Sequence, residues 1–271
     1  MNNTMTVMVT GATGKQGGAV VRALLRSKYH VVALTRNPAS KNAIQFHNEG
    51  VRIAVGDMTH VDSLTGAMIG VDIVFAMSTP FQSDHESEVA QGVNITDAAK
   101  AAGVRHIVFS SVACANKNTG IPHFDTKYKI EQHIAGSGIP YTIIGPTAFM
   151  ENFIQPQAIP GLKEGKLRRA LPASRPVQLV AVEDIGAFAV FTIEHPRFFL
   201  NKRIDIAGDE LTGEQTAAIL SKAIGRPITY EEFSPEVLES RSPDLAKMME
   251  WQAQNDYTAD VAGLRKNFPE V

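Results

Sequence analysis

A single cysteine, Cys114, occurs in the 271 residues. It excludes an intramolecular disulfide and a multi-cysteine metal site, it suits a reducing compartment, and its residue type is expected as a small buried apolar side chain. No window approaches the roughly 18 consecutive apolar residues of a membrane span. The opening Met1-Asn2-Asn3-Thr4 has neither the basic nor the apolar region of a secretory signal. The expectation is a cytoplasmic protein, or one shared with the nucleus, with no membrane contact. Charge of one sign is also lacking: 26 Lys and Arg against 28 Asp and Glu leave a formal net charge of −2. That balance offers no broad basic field, so direct nucleic-acid binding is not expected. There is no internal repeat or low-complexity segment.

What is present is an ordinary globular composition, 44% hydrophobic and 20% charged. Val- and Ile-rich runs at 5–10, 31–35, 52–55, 73–76, 106–110 and 141–144 read as short buried strands. Helical patterns are predicted between them at 14–27, 39–49, 61–68, 86–102 and 126–137, with Val89, Val93 and Ala99 or Ala102 on one face of the fourth. Buried strands alternating with helices imply an α/β fold, a Rossmann-type doubly wound parallel sheet. After Gly145-Pro146 the alternation fails. Residues 147–172, rich in Pro and Gly, read mainly as loop, followed by a strand near 203–207, a capped helix from Thr212 and a strand in "PITYEEF". The expected division is a dinucleotide-binding domain over 1–146 and a smaller C-terminal α/β lobe over 147–271, with some later segments returning to the first domain.

"VTGATGKQGG" follows the first strand and opens the first helix. Its Gly11, Gly14 and Gly17 form G-x-x-G-x-x-G, which lets a backbone approach a pyrophosphate while the helix N-terminus presents free N–H groups. Gly11, Ala12, Thr13, Gly14, Lys15, Gln16 and Gly17 are therefore candidate cofactor residues. At the end of the second strand, where an acidic residue would hold the ribose hydroxyls of NAD, "TRNPASK" places Arg36, with Lys41 after it. A guanidinium there suits a 2′-phosphate, so NADP(H) is expected over NAD(H). Asp57 and Met58 in "VGDMT" follow the third strand: Asp57 either caps the next helix or accepts from the adenine amino group, and Met58 can pack on the ring. Ser78 and Thr79 follow the fourth strand, near the expected ribose and nicotinamide.

Together with "HFDTKYKIE" at 123–131, "PTAFMENF" at 146–153 and "EDIGAF" at 183–188, these motifs make nearly the whole chain resemble the NmrA-like family of the short-chain dehydrogenase superfamily. The resemblance implies a nicotinamide dinucleotide and places Phe149, Met150, Glu151 and Asn152 at the nicotinamide end. Several family members act as cofactor-ratio sensors or as partners of transcription regulators. Reductases of the superfamily use a serine after the fifth strand and a Tyr-x-x-x-Lys pair. Here "VFSSVA" supplies Ser110 and Ser111, and Lys127 matches the lysine, but four residues before it stands His123 rather than tyrosine. Tyr128 is about 100 degrees away from Lys127 around a helix and cannot substitute. Lys127, His123 and Ser111 are thus the candidate catalytic residues, with Lys127 also a cofactor contact. His123 is either a proton donor or a packing residue at a helix start.

A dinucleotide site beside a missing tyrosine makes the first expectation an NADP(H)-binding sensor acting through a regulatory protein partner. The alternative is an NADPH-dependent oxidoreductase acting on a quinone or another conjugated carbonyl compound, for which isoflavone-reductase-like enzymes, with lysine and no tyrosine, provide the resemblance.

Overall fold

The computed structural model describes residues 4–79, 84–239 and 242–269. Residues 1–3, read above for a targeting signal, lie outside them, and no described helix is long and apolar enough to cross a membrane. The six expected strands form as β1 (Thr6–Val9), β2 (His30–Thr35), β3 (Arg52–Val55), β4 (Ile73–Ala76), β5 (His106–Ser110) and β6 (Tyr141–Pro146). Helices α1 (Lys15–Arg26), α2 (Lys41–Asn48), α3 (Val61–Ala67), α4 (His85–Ala101) and α5 (Pro122–Gly136) connect them. After the short β7 (Ala148–Phe149) come α6 (Ile159–Lys163), β8 (Lys166–Arg169), β9 (Val177–Val180), α7 (Val182–Glu194), α8 (Pro196–Phe199) and β10 (Lys202–Ile206). The chain ends through β11 (Asp209–Leu211), α9 (Gly213–Ile224), β12 (Thr229–Glu232), α10 (Glu236–Glu239), α11 (Pro243–Gln254) and α12 (Val261–Asn267). The main sheet has seven strands in the order β10-β6-β5-β4-β1-β2-β3, and every pairing in it is parallel. The strand order reverses between β1 and β4, which is where a doubly wound sheet opens a ligand crevice at its carboxyl ends.

The period of two along each strand splits the core. Val7, Val9, Phe75, Val108 and Ile144 face α1 and α7, packing with Val20, Leu24, Ile185 and Phe188. Met8, Val74, Ala76, Ile107, Phe109 and Ile143 face α3, α4 and α5, packing with Leu64, Ile95, Ile130 and Ile134. Burial on both faces is why these strands read as continuous apolar runs rather than alternating ones.

Three features differ from the sequence reading. Residues 147–172, expected as loop, contain β7, a 3₁₀ turn over Met150–Ile154, α6 and β8. The partners that stabilise those strands are distant in sequence: β8 pairs with β12 and β7 with β9. Helix α5 begins at Pro122, four residues before the expected start, because proline at the first helical position needs no hydrogen bond and has a preset φ. Helix α4 turns Glu88, Gln91, Gly92, Ile95, Thr96, Ala98 and Ala99 inward, whereas Val89 and Val93 are only partly buried. The helix from Thr212 forms with a complete capping box, Thr212 and Gln215 bonding reciprocally.

Helices α1 and α7 meet at Gly186, where a Cβ would lie 2.8 Å from the carbonyl carbon and oxygen of Ala19. Gly186→Ala is expected to lower stability by about 1–3 kcal/mol through forced separation of the two helices. An unchanged urea midpoint would refute that account.

His106 is buried at the start of β5. The Thr142 hydroxyl donates to the Phe199 carbonyl at 3.1 Å, so it accepts from Nε2–H of a neutral His106 at 2.9 Å. Burial pushes the imidazole from 6.5 down to about 4. Because the folded pKa lies below the unfolded one, this contribution is fully present above the unfolded value. It is lost as pH falls from 6.5 to about 4, amounting to about 3 kcal/mol. Unfolding titrations at stepped pH should show that loss in the wild type and a flatter profile in His106→Asn; parallel profiles would exclude His106 as the cause.

Candidate functional site

The carboxyl ends of β1 and β4 are pinned by one side chain. The fully buried Thr10 hydroxyl accepts from Met77 N–H at 2.8 Å and donates to Met77 C=O at 2.9 Å. Beyond this bridge the glycine turn begins. Gly11 has φ +61°, and a Cβ on it would lie 2.6 Å from Met77 Sδ. A Cβ on Gly17 would run into the Gly11 carbonyl, so the turn and α1 close on each other only because both residues are glycine. Gly14 differs: it is exposed, and a Cβ there meets only the Gly11 carbonyl oxygen, at 3.2 Å. Its bare backbone therefore faces outward. Ala12 is buried beneath the turn, Thr13 accepts from Asn42 through its carbonyl oxygen at 2.7 Å, and Lys15 is exposed. The first N–H groups of α1 receive no side-chain cap, so they remain available to an anion. Gln16 turns inward instead, donating through Nε2 to the Ser110 hydroxyl and joining the turn to the end of β5.

Arg36 and Lys41 are exposed past the end of β2. Asp57 does not cap a helix: its carboxylate accepts from the backbone and hydroxyl of Thr59, at 2.9 and 2.8 Å. Those bonds hold its pKa low, with Arg36 adding to the effect. Asp57 and the cation that would grip a 2′-phosphate thus stand within electrostatic reach of each other. Met58 is partly buried against α4, and its carbonyl is held by Asn94 at 3.1 Å.

Lys127 is the most constrained of the candidate groups. Its buried Nζ donates to the Ser78 carbonyl at 2.6 Å and the Ser78 hydroxyl at 3.1 Å, pairs with Glu88 at 3.0 Å, and lies 5.4 Å from the centre of the Phe109 ring. Burial pulls its pKa down while Glu88, and Glu131 beyond it, push it up. Glu88 is wholly buried and also accepts from the hydroxyls of Ser78 and Thr126. Lys127 and Ser78 are therefore assembled at the end of β4 with Thr79 beside Ser78, held by a carboxylate that was not anticipated.

The other two candidate catalytic groups are engaged elsewhere. Ser111 donates to Glu131, whose carboxylate is paired with Arg203 at 3.1 Å. Burial raises the Glu131 pKa, and Arg203 opposes the rise. His123 bonds through Nδ1 to Asp244 at 2.7 Å, near the start of α11. Burial would raise the Asp244 pKa, but the His123 contact brings it below the ordinary value. His123 lies one helical turn from Lys127 on α5, so an aspartate-oriented imidazole stands beside the lysine.

Phe149, Met150 and Glu151 are partly buried above the carboxyl end of β6, and Asn152 is exposed. Glu151 makes two long-range bonds: its carbonyl accepts from Lys15 Nζ at 3.5 Å, and its carboxylate accepts from Val182 N–H at 3.1 Å. Asn152 Oδ1 accepts from Gln155 at 2.6 Å. Of the residues not anticipated, Glu88 left a trace in the sequence: it heads the spacing Glu88, Gln91, Gly92, Ile95, Ala99, a helical face otherwise built of apolar, small or uncharged residues. Asp244 and Arg203 left none, since they reach the site from distant segments.

Glu88→Ala strands the Lys127 ammonium in the interior. It should cost about 3–5 kcal/mol, with much of it recovered in Glu88→Gln/Lys127→Met, where neither charge remains. A single variant within about 1 kcal/mol of the wild type in urea unfolding would show that the pair is not closed in solution.

The arrangement has close counterparts. An NAD(P)H azoreductase of Xenophilus azovorans is 33% identical over 226 residues, spanning 83% of this chain and 76% of that one. The crystal structure of an NADPH-dependent quinone oxidoreductase of Escherichia coli complexed with NADPH is 27% identical, with a TM-score of 0.78 over 96% of this chain and 93% of that one. A Citrobacter triphenylmethane reductase complexed with NADP(H) has the same fold, with a TM-score of 0.81 at 24% identity over 97% and 95% of the two chains. The model of the NmrA-like family matches residues 3–266, and with the glycine turn, the doubly wound sheet and the buried lysine in place the chain belongs to the NmrA-like family.

Proposed function

We propose that this protein binds NADP(H) at the carboxyl edge of the sheet and is a reductase of quinones or other conjugated electrophiles. The observation that carries the reading is the buried Lys127 fixed at the end of β4 by Glu88 and Ser78, supported by relatives named for reductase activity. The glycine turn fits a pyrophosphate because Gly14 leaves its backbone bare beside the uncapped start of α1. Arg36 and Lys41 would hold a 2′-phosphate, and Lys127 would donate to the nicotinamide ribose. When bound, the dinucleotide supplies a hydride.

The chain's own groups then do the rest. Phe149 and Met150 wall the reacting end and exclude water. Lys127, already a hydrogen-bond donor at Nζ, steadies negative charge left on the substrate oxygen. His123, whose Nδ1 is held by Asp244, handles its proton at Nε2. A quinone needs little acid assistance once reduced, so the missing tyrosine is tolerable.

The sensor expectation rested on that missing tyrosine. The likeness to the negative transcriptional regulator NmrA, 19% identical with a TM-score of 0.79, is one of fold, and the named reductases weigh more.

The test is calorimetric titration with NADPH, NADP⁺, NADH and NAD⁺, and menadione-dependent NADPH oxidation on the same samples. Arg36→Ala is expected to weaken NADPH about tenfold to a hundredfold while leaving NADH unchanged. Glu88→Gln/Lys127→Met should lose most turnover. Tight binding with no turnover on any quinone would return the sensor reading to first place, and absence of binding would overturn both.

A further inference from the structure

The second lobe contains a cation without an anion. Arg169 ends β8 partly buried, with its guanidinium centre 5.6 Å from the centre of the Phe153 ring. Tyr230 and Tyr257 are the nearby titratable groups, and burial works against its charge. Among the described residues the guanidinium makes no side-chain hydrogen bond and no ion pair. Its neighbours do: Arg168 is bound to Glu164 and Glu231 at 2.7 and 2.5 Å, Lys166 to Glu231 at 2.6 Å, and Arg175 to Asp256 at 2.8 Å. The adjacent basic pair Arg168-Arg169 is therefore split. One arginine is neutralised outside, and the other points inward on an aromatic face.

A guanidinium stays charged at all accessible pH values, and an aromatic face compensates only a fraction of its lost hydration. Such a group is completed by an anion brought from outside. Its position indicates which one. Phe153 packs in one apolar cluster with Val112, Ala113, Ala148 and Met150, the residues that immediately follow the carboxyl ends of β5 and β6. Met150 is one of the residues proposed to wall the reacting end, and its shared cluster with Phe153 connects Arg169 to that end of the sheet. Arg169 lines a small hollow with Val177, Leu179 and Arg175, whose own charge is answered by Asp256.

We propose that Arg169 is a specificity residue that binds an anionic substituent (sulfonate, carboxylate or phosphate) on the substrate, with Phe153 stacked on the substrate's ring edge. This rests on the reductase reading above and narrows its substrate class to conjugated electrophiles bearing a negative charge remote from the reacting carbonyl. The reaction balances as before: NADPH and one proton convert the quinone to the hydroquinone with formation of NADP⁺. The anionic group forms and breaks no covalent bond.

The experiment compares a naphthoquinone sulfonate with uncharged menadione at saturating NADPH, in the wild type, Arg169→Met and Arg169→Lys. Arg169→Met keeps the side-chain volume on Phe153. In the wild type kcat/KM should favour the sulfonate, mostly through KM. Arg169→Met should reduce that preference about tenfold or more with NADPH affinity unchanged, and Arg169→Lys should retain part of it. A second measurement titrates naphthalene sulfonate and naphthalene methanol into the wild type saturated with NADP⁺, at low and high sulfate. Selective, sulfate-sensitive binding of the sulfonate supports the site even without turnover, an outcome that overturns the reductase reading alone. A wild type that shows no preference for the charged compound in either measurement overturns the proposal whatever the variants do, as does a preference that survives intact in a folded Arg169→Met.

Discussion

The Thr10 hydroxyl bridges to both backbone groups of Met77 and sets the place where β1 and β4 stop being neighbouring strands and become the two lips of a crevice. Ladder bonding runs up to Thr10 N–H on Phe75 C=O at 3.0 Å. One turn further, the chains have diverged into the glycine loop on one side and the Ser78 loop on the other. A side chain that satisfies a donor and an acceptor at once allows this separation without leaving buried backbone groups unpaired. Everything that could hold a dinucleotide hangs from that point. Gly11 has its unusual φ against Met77, and Ser78 offers its carbonyl to Lys127.

Around the crevice the polar interior is organised as two separate networks. One joins Ser78, Lys127, Glu88 and Thr126 across β4, α4 and α5. The other joins Ser111, Glu131, Arg203 and Asp205 across β5, α5 and β10. Buried charges of this sort are tolerated because every member is bonded. Their effect is to fix rotamers: Lys127 has one place to be, and Ser111 is drawn to α5. A superfamily serine position is thus present in sequence and committed to structure. Near the start of α5, Asp244 holds the His123 ring.

The chain after β6 alternates between the main sheet and the smaller sheets. Strand β10 extends the sheet beside β6, and α7 lies against α1. Strand β9, immediately before α7, pairs with both β7 and β11. Glu151 contacts Lys15 and the start of α7 together, so the 3₁₀ turn over Met150–Ile154 is braced against the glycine turn. Phe124 meets Trp251 edge to face at 6.2 Å, tying α5 to α11.

The sequence by itself determined the elements whose cause is local. Period-two and uninterrupted apolar runs specified six strands, Thr212 and Gln215 specified a helix start, and Gly11 and Gly17 specified a turn that only residues without Cβ can make. It also announced Arg36 and Lys127, because their meaning follows from offset to a strand or helix. Only the tertiary structure decided what these groups touch. Glu88 became a counterion because α4 presents that face to α5, where Gly92 admits Ile130. Asp244 reached His123 from 121 residues away, β8 became a strand by pairing with β12, and Arg169 turned inward while Arg168 did not. Those outcomes are set by which distant surfaces meet, and a pairing between remote segments leaves no spacing in the sequence from which to read it.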